Sequence, residues 1–131
     1  MSFRNFALVI FCAGAIAMVG CNRSQPVLNF EGSPVTTYSG KKDLKEIKRA
    51  IILTGTRIGW QMQPAGPGHI VGTIFNRGHM AKVDIKYNTE NYSITYKDSS
   101  NLLYDGANIH RNYNRWVDRL NRNIRAEINK L

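Results

Sequence analysis

From His79 to Tyr87 the side chains alternate without a break. His79, Ala81, Val83, Ile85 and Tyr87 share one parity, while Met80, Lys82, Asp84 and Lys86 share the other. A strand turns successive side chains to opposite faces, so the pattern fits a sheet with one face on a core and one in water. An α-helix would scatter the same residues around its whole circumference. Neighbouring segments extend the reading. Tyr92, Ile94 and Tyr96 oppose Ser93, Thr95 and Lys97, and His69 to Asn76 forms another strand. Ile58, Trp60 and Met62 alternate with Gly59, Gln61 and Gln63 until Pro64-Ala65-Gly66-Pro67-Gly68 breaks the run. Tight turns at Arg77-Gly78 and at 88–91 leave only short connections, which predict a four-stranded antiparallel meander.

Helical spacing flanks these strands. Leu44, Ile47 and Ile51, with Ala50 beside them, predict a helix over 41–54, with Ser39 as N-cap and Gly55 as its stop. Ile109, Tyr113, Trp116, Val117, Leu120, Ile124 and Ile128 form one apolar stripe on a last helix from about 109 to 130. Residues 98–107 are expected as a loop. One apolar sheet face and two amphipathic helices give an α+β two-layer sandwich in the order α-β-β-β-β-α, with both helices on one face and the other face wet.

The first residues belong to something else. Phe6 to Val19 is an uninterrupted apolar run behind the positive side chain of Arg4. A membrane span needs roughly 20 such residues, so the run is short for a permanent helix and suits the core of an export signal. It ends in Met18-Val19-Gly20-Cys21, which resembles the bacterial lipobox. The resemblance implies cleavage between Gly20 and Cys21 and lipid on the Cys21 thiol. Cys12 leaves with the leader, so Cys21 has no cysteine to pair with in what remains. The expected organisation is a signal peptide over 1–20, a lipidated tether over 21–40 rich in Ser, Pro, Asn and Gly, and a single domain over 41–131. Within the tether, Val27 to Phe30 is a candidate edge strand. Asn22 after the cysteine, where an Asp tends to retain lipoproteins at the inner membrane, implies passage to the outer membrane, facing the periplasm.

The chain carries a net charge of +9, and loss of Arg4 with the leader leaves +8. Such an excess favours contact with anionic surfaces. Export argues against nucleic acid and for lipid head groups, phosphate-bearing envelope polymers or an acidic protein. The positive charge is organised. On the last helix Arg111, Arg115, Arg119, Arg122 and Arg125 fall opposite the apolar stripe, with Asp118 among them. Guanidinium groups bind phosphate or carboxylate in bidentate fashion, so this face is the candidate anion-binding site. A plain solvated face is the alternative. Lys41, Lys42, Lys45, Lys48 and Arg49 form a second basic cluster on the first helix, which would reinforce the first if both face one surface.

The wet sheet face, with Gln61, Gln63, Lys82, Asp84, Lys86, Ser93 and Thr95, is a second candidate, for docking a protein or glycan. His69, His79 and His110 have no metal-ligand spacing, so no metal or cofactor is expected. No nucleophile elbow, calcium loop or phosphate-binding glycine motif occurs, which points away from an enzyme. A hydrolase acting on an envelope polymer would need His110 to meet Asp98 or Asp105 in a pocket.

Arg57-Ile58-Gly59-Trp60, Val83 to Tyr87, Tyr92 to Ser99 and Ile109-His110-Arg111-Asn112-Tyr113-Asn114-Arg115-Trp116 together resemble a family of small proteobacterial lipoproteins. That resemblance implies an envelope location and transfers no catalytic residue. The expected function is therefore binding of an anionic or protein partner by a membrane-anchored basic domain. An assembly accessory recruited through the open sheet face is the alternative.

Overall fold

A computed structural model describes residues 22–131. The expected leader, with Gly20 and Cys21, lies outside the described residues. The chain runs β1 (Ser24–Pro26), β2 (Phe30–Pro34), α1 (Leu44–Arg57), β3 (Gln61–Gly66), β4 (His69–Asn76), β5 (His79–Tyr87), β6 (Asn91–Ser100), β7 (Asn108–His110) and α2 (Arg111–Asn129). It is an α+β fold with a five-stranded antiparallel sheet, order β2-β6-β5-β4-β3, and a separate β1–β7 pair.

The meander is present as β3 to β6, but the sheet has a fifth strand. The stretch expected as a tether supplies it. β2 pairs with β6 along one edge, and β1 pairs with β7. The edge strand expected at Val27 to Phe30 is displaced, β2 starting only at Phe30, because edge strands bury little and so leave little side-chain pattern to place them by. Asn114 makes the attachment firm: its side chain accepts from the Leu28 N–H and donates to the Pro26 carbonyl, both at 2.9 Å.

Ala81, Val83, Ile85 and Tyr87 are all buried, as their parity requires, together with Tyr92 and Ile94 of β6 and Ile70 of β4. They form one cluster with Ile47, Ala50 and Ile51 of α1 and with Tyr113, Val117, Leu120, Ile124 and Ile128 of α2. Every buried hydrophobic side chain among the described residues lies between Val35 and Ile128, so residues 22–131 carry a closed core of their own. One buried polar pair crosses it: the Tyr92 hydroxyl donates to Asn121 Oδ1 at 2.7 Å, joining β6 to the middle of α2.

Helix boundaries differ from expectation for local reasons. Asp43, not Ser39, caps α1, its carboxylate accepting from the Lys45 and Glu46 N–H groups at 2.8 and 3.1 Å. Gly55 does not end the helix. It lies buried in the last turn, where a Cβ would collide with Met62, and Gly59 at φ +98° turns the chain away instead. β3 begins only at Gln61 and continues through Pro64 to Gly66, which an edge strand tolerates because its outer N–H groups have no partner to lose. β6 takes up Asp98 to Ser100 from the expected loop. A register shift beside Lys82 and Val83 accommodates the added length.

Candidate arginine cleft

The β4–β5 hairpin turns through two residues, Arg77 at φ +49° and Gly78 at φ +79°. Positive φ at both central positions is the turn whose twist matches a hairpin, and it normally selects Asn or Gly at the first. Arg77 is there instead, exposed at the hairpin tip. Asn76 and His79 pair across the turn and face the helix layer. α2 runs past this tip, and the two elements enclose a cleft of about 590 Å³ lined by Asn76, Arg77, His79, Asn112, Arg115, Trp116, Arg119 and Arg122.

All five arginines of the expected stripe are exposed. The structure divides them. Arg115, Arg119 and Arg122 line the cleft; Arg111 lies at the first turn of α2, where its N–H donates to the Arg23 carbonyl at 2.8 Å. Arg125 sits outside the cleft, near enough to Tyr92 for its charge to oppose the rise that burial causes in the phenol's pKa. The carboxylate that meets this group is Asp118, 3.0 Å from Arg122. Arg77 and His79 were not singled out as anion-binding residues from sequence. The signal available was a charged residue at the first position of a tight turn, where its backbone is strained.

His110 completes the surroundings. Its ring stacks with that of His79, centroids 6.5 Å apart, and its Nδ1 accepts from the Asn112 N–H at 3.1 Å to cap α2. Burial lowers its pKa below the usual histidine value, and the charges of Arg111, His79, Arg23 and Arg115 lower it further. Arg111, Arg23 and Arg115 therefore lie close enough to this imidazole to oppose its protonation.

The second basic cluster is elsewhere. Lys42 pairs with Glu90 at 3.3 Å in the β5–β6 turn, and Lys45 and Lys48 border a depression with Pro64, Pro67 and Tyr87. Those turns lie at the end of the sheet opposite Arg77, about 23 Å along an eight-residue strand. The two clusters therefore do not combine into one patch at one end of the sheet.

On the outer sheet face Gln61, Gln63 and Lys86 are exposed, and Lys82, Asp84, Ser93 and Thr95 are half-buried. Its centre is already neutralised: Asp84 lies 2.7 Å from His69 Nε2 and 3.5 Å from Lys97 Nζ. Among the described residues no three His, Cys, Asp or Glu side chains gather as metal ligands. His110 does not meet the acids a hydrolase would need. Asp98 borders a separate depression with Tyr96 and Tyr104, and Asp105 accepts from the Ala107 and Asn108 N–H groups to close its own turn. Among the described residues no helix is long and apolar enough to cross a membrane. Comparison with protein-family models, with curated proteins and with solved structures finds no match, so the reading of this cleft rests on its own geometry.

Proposed function

We propose that the chain is a membrane-anchored envelope lipoprotein whose basic domain binds a phosphate- or carboxylate-bearing partner in the arginine cleft. The anchor reading rests on Met18-Val19-Gly20-Cys21, and Asn22 after the cysteine favours the outer membrane, facing the periplasm. The binding reading is carried by one observation: Arg115, Arg119 and Arg122 of α2 share a cleft with Arg77 and His79 of a distant hairpin. A merely solvated helix face needs no such convergence from a second element. Guanidinium forks approaching from two sides suit an anion with several oxygens.

Reversing Arg115, Arg119 and Arg122 to Glu tests the binding reading. Retention on membranes or wall material rich in phosphate should fall at least tenfold at low salt, and unreversed protein should lose most of its own binding at high salt. Unchanged retention contradicts the proposal. The anchor is tested separately by acyl labelling in cells, which Cys21→Ser should abolish. Docking of a protein on the outer sheet face has less support, because its central carboxylate is already held by His69 and Lys97.

A further inference from the structure

Of the six large hydrophobic side chains left in water among the described residues, three lie in the β4–β5 hairpin and the loop after β6. Phe75, 64% exposed, pairs across the hairpin with Met80, while Leu103 and Tyr104 are 61% and 43% exposed in the loop after β6. That loop is fastened to the hairpin. His79 Nδ1 lies 2.7 Å from the Asn101 carbonyl, and the Asn101 amide donates to the Gly78 carbonyl at 3.5 Å. Tyr104 stacks on Tyr96 with centroids 4.1 Å apart, fixing the loop from its other side. Leu103 has φ +56°, a conformation that leucine disfavours and that Gly or Asn adopts readily. Neither the backbone nor the solvent at this position suits leucine, and strain of this kind is retained where something else uses the side chain.

The chain also enters the fold here. Ser24 pairs with His110, whose ring stacks on His79, and the Arg23 carbonyl accepts from Arg111. Only Asn22 lies between Arg23 and Cys21, so the two residue steps span at most about 7 Å whatever their conformation. A lipid on Cys21 would therefore begin beside the arginine cleft and the exposed apolar tips, without a long tether between.

We propose that this end of the molecule docks on the phosphate head groups of the bilayer that carries the anchor. Arg77, Arg115, Arg119 and Arg122 would bind head-group phosphates, and Phe75 and Leu103 would enter the boundary between head groups and acyl chains. The proposal rests on the anion-binding reading of the cleft and deepens it by naming the source of the anion. A soluble anionic polymer would satisfy the arginines but give Phe75 and Leu103 nothing to bury against. A bilayer supplies both, and an anchor a few ångströms away makes even weak contacts effective through high local concentration.

The test uses residues 22–131, which hold no cysteine and carry their own core. Single cysteines at Phe75, Leu103 or Glu90 are labelled with an environment-sensitive fluorophore, Glu90 lying at the far end of the sheet. Binding is measured to vesicles of phosphatidylcholine with and without phosphatidylglycerol, and depth by spin-labelled lipids quenching near the head groups. Labels at 75 and 103 should be quenched severalfold more than the label at 90, only with phosphatidylglycerol present and not at high salt. Leu103→Asn suits the local backbone, so it should keep the fold and lose severalfold in vesicle affinity. Arginine-dependent binding without quenching at 75 and 103 would overturn the docking geometry and leave the anion-binding reading standing. Binding to soluble polyphosphate but not to vesicles would overturn docking in favour of a soluble partner. Binding to neither would overturn both readings, while the acyl-labelling result stays independent of all three.

Discussion

His110 caps α2 through Nδ1, which accepts a hydrogen bond from the Asn112 N–H, and a protonated Nδ1 cannot accept. Burial and the nearby arginines hold its pKa below the ordinary value, so the folded chain favours the neutral ring. The unfolded chain, with a pKa near 6.5, takes up a proton first as the pH falls. Stability attributable to this residue is thus complete above about pH 6.5 and declines as the pH drops through that value toward the folded pKa. Asn is a good N-cap that does not titrate. His110→Asn should therefore flatten the loss of stability between pH 7 and pH 5 in urea unfolding. An unaltered slope would show that the imidazole plays no part in it. The same arrangement makes His110 a reporter of the cleft, because a bound anion offsets the arginine charges and raises its pKa.

Asn114 matters beyond its own position, because it ties an otherwise weakly held N-terminal segment to α2. Its amide meets Leu28 and Pro26, and β1 contributes only three residues to its pairing with β7. Asn114→Ala should cost about 1–2 kcal/mol through the partly buried Leu28 N–H left without a partner. It should also expose the peptide bond after Arg23 to trypsin. Unchanged proteolysis would mean that strand pairing alone holds the segment. This segment is also where sequence reading stopped short. β5 and the α2 stripe were legible because their burial is one-sided and long enough to leave a period. β1 (Ser-Gln-Pro) and β2 (Phe-Glu-Gly-Ser-Pro) are short edge strands held largely by backbone pairing, and backbone pairing leaves no pattern in side chains. The end of α1 was misplaced for a related reason. A glycine inside a helix and a glycine after one look alike until Met62 is seen against Gly55.

At the scale of the whole molecule, the helical arginines were legible from sequence, but their meeting with Arg77 and His79 was not. Thirty-seven positions lie between Arg77 and Arg115, and only the packing of α2 across the hairpin end of the sheet closes that distance. The same packing sends the α1 lysines to the opposite end, which gives the domain one end suited to an anionic surface beside the point where the chain enters. The most direct measurement is a side-chain NMR titration of residues 22–131 with mixed micelles bearing phosphatidylglycerol. The arginine Nε–H and histidine ring signals are followed with lysine signals of the sheet face as the internal comparison. Shifts are expected at Arg77, Arg115, Arg119 and Arg122, with a rise in the His110 pKa and little change at Lys82 and Lys86. Shifts confined to Lys82, Lys86 and their neighbours, with His110 unmoved, would contradict binding in the arginine cleft.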